Sequence, residues 1–278
     1  MGCHLRFLLE QEGAAFVATD AEVDITDKDG LFRFAAPHRL SVIFNCAAFT
    51  DVRACEVRTE EAFQVNAEGV RNLAQVAAWK GARLVHVSTD YVFDGTADAP
   101  YPENAPTAPL NAYGQSKLAG ERYLRAAHCP WTLVRTSWLF GKGGRNFVTS
   151  VLERLREKGV IQVVSDQYGS PTYAGDLACA LLSLAQAAPG IYHVANFGVT
   201  SWFGFACRIA ELGVQLGLVP EGARVEPIRS KDLNDPVTRP AYSALDTRKA
   251  AQVLGWSPRP WEKALREFLE ELREAPVG

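Results

Sequence analysis

The stretch that decides the fold is LSVIFNCAAFTDVRACEVRTEEAFQVNAEGVRNLAQVAAWKGARLVHVSTD, residues 40–90. It opens on the short apolar, β-branched run LSVIFN, passes through a long helical pattern to Lys80, and closes on a second such run, ARLVHVS, residues 82–88. Strand, helix, strand in series is the unit of a parallel sheet. The unit recurs outward in both directions. Upstream stand AAFVATD (14–20) and a helix after Asp27; downstream come a helix from about Asn111, WTLVRTS (131–137), a helix from about Asn146 and VIQVVS (160–165). The expected architecture is an α/β doubly wound parallel sheet. Residues 1–165 are expected to form a dinucleotide-binding domain. Residues 166–278, with helices over 173–188 and 201–216, short strands GIYHVA and VEPI, a Pro-rich loop through RPAYSAL and a last amphipathic helix from Trp261, are expected to form a smaller lobe, mainly substrate-binding, with segments returning to the core.

In such sheets ligands gather at the carboxyl ends of the strands, so the residues that follow each run matter most. Tyr113 and Lys117 lie four apart in NAYGQSKLAGERYL, on one face of a helix. An ammonium beside a phenol is expected to lower the phenol pKa, allowing the tyrosine to exchange a proton with a carbonyl or alcohol. Ser88 and Thr89 end the strand ARLVHV, where a hydroxyl can hydrogen-bond the same oxygen. After Asn45, the small residues Ala47 and Ala48, with Phe49 and Thr50, leave room for a flat cofactor at the start of a helix that Thr50 is expected to cap, unless it binds a phosphate. Asp20 stands where a carboxylate meets the ribose hydroxyls nearest adenine, and Asp24 and Ile25 near the adenine edge; either aspartate can equally cap a turn.

The composition excludes other classes. With 278 residues, 47% hydrophobic, 22% charged and a net charge of -3, the chain lacks the basic excess of a nucleic-acid-binding surface. No apolar run is long enough to cross a bilayer and no leader pattern is present, so neither membrane nor nucleic acid is expected as a partner, and the expected location is cytoplasmic. Six cysteines without a CxxC pair and five histidines without ligand spacing give no expectation of a metal.

Taken together, NCAAFTDVRACE (45–56), STDYVFDG (88–95), PLNAYGQSKLAGE (109–121), VRTSWLFG (134–141), NFV (146–148), DQYGSPT (166–172) and RPAYSALDTRKAAQVLGW (239–256) closely resemble the dTDP-4-dehydrorhamnose reductase family of extended short-chain dehydrogenases. The resemblance runs in order along almost the whole chain. It implies a Rossmann-like fold and reduction of the 4-keto group of dTDP-4-dehydro-L-rhamnose to dTDP-L-rhamnose with NADPH or NADH, by a protein that can form a homodimer. By the same resemblance Tyr113 is the proton donor, Lys117 binds the nicotinamide ribose and tunes Tyr113, and Thr89 helps hold the keto oxygen. Asp90 and Trp138 would contact the sugar nucleotide, with Arg239 able to pair with its diphosphate. Asp20 leans toward NADH, because a carboxylate repels a 2'-phosphate.

Two departures bear on this. The opening MGCHLRFLLEQEG resembles the end of a phosphate loop and its helix, with Gly2 in place of the last glycine of GxxGxxG. The first strand and earlier glycines are missing from this chain, and the expectation is a gene product longer by about a dozen residues, or else a chain that has lost cofactor binding. Arg53 stands where the family carries an acidic residue. Two rivals follow. A sugar-nucleotide dehydratase of the same superfamily would need an acidic residue where this chain has Tyr91, and a non-catalytic regulator resembling the methionine adenosyltransferase beta subunit would not need the Thr-Tyr-Lys set.

Overall fold

The computed structural model describes residues 1–274. Four parallel strands form the main sheet, in the order Val42–Asn45, Arg83–Thr89, Trp131–Thr136, Gly190–His193. Because side chains alternate along a strand, Leu84 and Leu133 enter one buried layer while Val85 and Val134 enter the other. The first layer packs against the helix Gly69–Lys80, the second against the helix Ala174–Leu184. Each of these buried aliphatic side chains contributes roughly 1.5 to 3 kcal/mol, which is what makes helix coverage of both faces stable. The sheet is therefore doubly wound, as the alternating pattern implies.

The helices start where the sequence provides a cap. Asp27 accepts from the Gly30 amide at 3.0 Å, Asn111 from Gly114 at 2.9 Å, and Asn146 forms a reciprocal box with Thr149. Between residues 52 and 80 the long helical pattern is broken into the helices Val52–Val57 and Thr59–Phe63, a π-turn at Gln64–Glu68 and the helix Gly69–Lys80.

One strand expectation fails, and one strand lies in a different sheet. Residues 14–20 are exposed and irregular. A strand exists only through its ladder, and the Val42–Asn45 strand pairs along one edge alone, with Arg83–Thr89. VIQVVS does form a strand, Val160–Val164, but outside the main sheet: it pairs in parallel with Arg224–Ile228. That small sheet joins the helices Phe147–Lys158, Trp202–Gln215 and Trp261–Glu274 around an aromatic core containing Phe140, Tyr173, Phe205 and Phe268. GIYHVA supplies the fourth strand of the main sheet, so the later part of the chain does return to the first core.

Candidate active site

Helix Ala112–Arg125 lies close against the turn Asp90–Val92 and the π-turn Gln64–Glu68 because two of its residues have no side chain. A Cβ on Gly114 would stand 2.2 Å from the Tyr91 carbonyl oxygen, and one on Gly120 2.1 Å from that of Asn66. That close approach brings Tyr113 and Lys117 to the carboxyl end of the strand Arg83–Thr89. Lys117 is 2% exposed, and its Nζ donates to the Val87 carbonyl at 2.7 Å. Burial lowers its pKa to about 8 against the opposing pull of Glu121 and Cys46.

Tyr113 sits beside Thr89, which acts on its hydroxyl, and its ring meets Tyr91 edge-on at 5.6 Å. Part of the ring reaches solvent, yet burial of the phenol end dominates and pushes its pKa up; Thr89 opposes the shift, while Asp90, Tyr91 and Cys55 add to it. The expected lowering by Lys117 is thus reversed in the protein alone, since the ammonium is directed to Val87. Tyr113 keeps its proton through neutral pH, the state a proton donor requires.

Thr89 caps the turn Asp90–Val92, accepting from the Tyr91 amide at 3.2 Å and donating to Asp90 Oδ1 at 3.0 Å. Asp90 is buried, its Oδ2 has no partner, and burial raises its pKa to about 6 against the nearby Ser243 side chain and the Thr89 hydrogen bond. An unpartnered buried carboxylate oxygen beside Tyr113 suits a ligand hydroxyl. Ser88 does not join this group. Alternation turns it to the opposite face, where its hydroxyl donates to Glu121 at 2.6 Å.

The loop after Val42–Asn45 is exposed at Ala47 and half-buried at Ala48 and Phe49. Thr50 is exposed and caps nothing: the next helix starts at Val52 and is capped by Asp51, which accepts from Ala54 at 2.9 Å. Asn66, which sequence reasoning passed over, fixes this loop to the helix carrying Tyr113 and Lys117. Its amide exchanges two hydrogen bonds with the Phe49 backbone, at 2.8 and 2.9 Å, and donates to Ser116 Oγ at 3.0 Å. Ser116 in turn donates to the Tyr113 carbonyl. In FQVNAEGV nothing local sets Asn66 apart from Gln64 and Glu68, so the sequence gives no sign of this clamp.

Gly2 begins the helix Gly2–Gln11, and nothing lies within 4 Å of where its Cβ would stand, so a ligand can approach the backbone there. The adjacent Met1 amino group acts on the Cys46 thiol, which also feels Lys117, so this helix start faces the same strand ends. The groups round Lys117, Tyr113, Ala47 and Gly2 therefore fit the nicotinamide and phosphate part of a dinucleotide. The adenosine end is less built. Asp20 lies in the irregular segment and caps a turn through Ala21, and Asp24 accepts from the Thr26 amide and hydroxyl, both at 2.8 Å. Ile25 packs over Gly69.

Trp138 does not present a free ring face to a cavity on one side: it stacks on Trp202 at 3.5 Å with planes 6° apart, and its backbone takes φ 48°, the left-handed region rare for a non-glycine residue. Arg239 is paired within the chain, to Asp235 at 3.3 Å and to the Tyr91 hydroxyl at 3.3 Å. Arg53 pairs with the same Asp235 at 3.0 Å, tying the helix Val52–Val57 to the loop before RPAYSAL. Tyr91, where a dehydratase would carry an acid, is thus a neutral phenol held by a guanidinium. Among the described residues no cluster of His, Cys, Asp and Glu could hold a metal ion.

Residues 1–274 match the model of the family described as the RmlD substrate binding domain. The chain is 38% identical over 277 residues to a Bacillus subtilis protein described as spore coat polysaccharide biosynthesis protein SpsK, covering 99% of this chain and 95% of that one. It is 42% identical over 282 residues to the dTDP-4-dehydrorhamnose reductase of Mycobacterium tuberculosis, covering 97% and 89%. A crystal structure of dTDP-4-dehydrorhamnose reductase from Bacillus anthracis in complex with NADP superposes with a TM-score of 0.90 at 36% identity, covering 97% of this chain and 95% of that one. In sequence, in fold and in the order of its motifs, this chain belongs to the RmlD substrate binding domain family.

Proposed function

We propose that this protein reduces the 4-keto group of dTDP-4-dehydro-L-rhamnose to dTDP-L-rhamnose with NADPH or NADH. The observation that carries the reading is the grouping of Thr89, Tyr113 and Lys117 at one strand end, with the lysine docked on the Val87 carbonyl and the tyrosine beside Thr89. The identity to named reductases over nearly the whole chain supports it.

The nicotinamide, when bound, supplies the hydride that adds to C4 of the sugar. Tyr113 holds the proton that the developing alkoxide takes, and burial keeps that proton in place until it is needed. Thr89 gives a second donor on the same oxygen once its hydroxyl swings from Asp90, and two donors on one alkoxide stabilise hydride addition. Lys117 spends one N–H on Val87 and has two left for ribose hydroxyls. Asp90 Oδ2 accepts from a sugar hydroxyl, Trp138 braced by Trp202 walls the sugar, and Arg239 leaves Asp235 to Arg53 when it takes up a diphosphate. Gly2 and residues Ala47 to Thr50 line the cofactor side, with Asp20, Asp24 and Ile25 toward adenine.

The reading carries a division into a cofactor part, residues 1–165, and a mainly substrate-binding part, 166–278, with segments returning to the core; the strand Val160–Val164 at the boundary pairs with Arg224–Ile228 of the second part. It also carries a cytoplasmic homodimer without nucleic-acid or membrane partners; no helix of the described residues is long and apolar enough to cross a membrane. The test is direct. Cofactor absorbance at 340 nm should fall only when the dTDP-linked 4-ketosugar is added, with NADPH and NADH run in parallel. A folded, cofactor-binding protein that leaves the absorbance unchanged would reject the proposal.

A further inference from the structure

His86 is fully buried in the strand Arg83–Thr89, three residues before Thr89, and none of the roles above uses it. Its two ring nitrogens face different partners. Nδ1 lies 3.0 Å from the Asn45 side-chain nitrogen, and Nε2 lies 3.5 Å from Lys117 Nζ. The Asn45 amide has only one workable orientation, because its oxygen accepts the Ala47 backbone N–H at 3.0 Å and a flipped amide would oppose donor to donor. Asn45 therefore donates to Nδ1. With that nitrogen an acceptor, and with burial and the Lys117 charge holding the ring neutral, the ring proton sits on Nε2 and points at the lysine.

We propose that His86 is a positioning residue for Lys117: locked by Asn45 as the Nε2–H tautomer, it shows the amine a donor where an ammonium needs an acceptor, and so weakens the lysine's hold on its proton. An Nε2–H opposite an ammonium is two donors face to face; opposite a neutral amine it is a hydrogen bond. The contact therefore favours the neutral amine, and leaves the Val87 carbonyl as the one acceptor among the described residues that is fixed on the ammonium.

The other groups that face Lys117 do not supply this effect. Glu121, on the same helix, favours the ammonium, but its carboxylate is shared with Arg135 and Ser88. Cys46, in the loop after Val42–Asn45, is a thiol pushed up to about 11 by burial, and the Met1 amino group lies near it. Tyr113, one turn earlier, stays protonated. Among the described residues, His86 is the one ionisable side chain set against the amine on the strand side. The consequence is a lysine that holds its proton less tightly than burial beside Glu121 alone would make it.

The role of Lys117 in turnover rests on the proposed reductase reading, so the first test uses the free protein and no substrate. In long-range 1H–15N spectra of labelled protein, the His86 signal, identified by its loss in His86→Gln, should show the neutral Nε2–H pattern from pH 6 to 9. An Nδ1–H pattern or an imidazolium overturns the proposal whatever the enzyme's activity. The second test follows the Lys117 side-chain carbon through pH. His86→Gln, whose amide oxygen can accept from the ammonium, and Asn45→Asp, which draws the ring proton to Nδ1 and bares Nε2, should each raise the Lys117 midpoint by about one pH unit, and the alkaline limb of kcat with it. Midpoints within 0.3 units of wild type in either folded variant overturn the proposal; raised midpoints without turnover would instead sink the reductase reading alone.

Discussion

Glu121→Gln is the substitution whose cost follows most directly from the structure. Glu121 and Arg135 expose 1% and 3% of their side chains, and the carboxylate takes bonds from Arg135 Nε at 2.9 Å, Arg135 Nη2 at 2.7 Å and Ser88 Oγ at 2.6 Å. The rest of the guanidinium touches the Glu103 carbonyl and His193 Nε2, both at 3.4 Å, and lies over the Phe93 ring. His193 cannot take over the charge balance. Burial and Arg135 itself hold its pKa at about 3, and its Nδ1 is engaged by the Tyr101 carbonyl. Removing the carboxylate charge therefore strands a buried cation, which costs about 3 to 5 kcal/mol, a large share of the ~5 to 15 kcal/mol that a domain has. The expected fall in Tm is on the order of 10 °C. The double variant Glu121→Leu with Arg135→Met removes both charges together and should cost far less than the two single changes summed. Urea denaturation of wild type, Glu121→Leu, Arg135→Met and the double variant gives the cycle. Glu121 also holds the Lys117 proton, so Glu121→Gln should move the alkaline limb of kcat below about 8, opposite in direction to His86→Gln. A single-variant loss under about 1 kcal/mol, or additive losses, would refute this account of the pair.

Tyr113→Phe keeps the edge-on contact with Tyr91 and removes one neutral hydroxyl; kcat should fall about 100-fold or more while stability changes by no more than about 1.5 kcal/mol, read by steady-state kinetics and melting. Gly120→Ala forces a methyl to within 2.1 Å of the Asn66 carbonyl, so the expected loss is about 1 to 3 kcal/mol by denaturation, with a weaker cofactor site because Asn66 also holds Phe49. Asp90 has a folded pKa raised to about 6 from an ordinary value near 4, so the folded state binds the extra proton and loses stability as pH rises through that window. Asp90→Asn should accordingly raise Tm relative to wild type, by a margin that grows between about pH 4 and 6 and then stays level; a margin independent of pH would contradict the burial argument.

What the sequence made legible is what local chemistry determines. The helix carrying Tyr113 and Lys117 announces itself by an Asn cap and a fixed spacing, and Thr89 by its place at the end of an apolar run. Where partners lie far along the chain, the sequence is mute. Asn66 reaches Phe49 and Ser116 from a π-turn that no periodicity marks, and Trp202 covers the face of Trp138 from 64 residues away. His86 reads as one more residue of a buried strand, because nothing local says that Asn45 and Lys117 will close on its ring. Residues 14–20 have strand composition, but composition cannot provide the neighbour whose ladder a strand requires. Ser88 and Thr89 looked alike as adjacent hydroxyls, and the pleat separates them.

Isotope transfer tests the central claim most directly. The protein is given dTDP-4-dehydro-L-rhamnose and NADPH deuterated on each face of C4 of the nicotinamide in turn, and the sugar product is read by mass spectrometry and NMR. One of the two deuterated cofactors should place a single deuterium on C4 of dTDP-L-rhamnose for each cofactor consumed, and Tyr113→Phe should cut the rate of that transfer about 100-fold. Cofactor oxidised without deuterium reaching the sugar, or a folded and cofactor-saturated protein that makes no dTDP-L-rhamnose, would contradict the account.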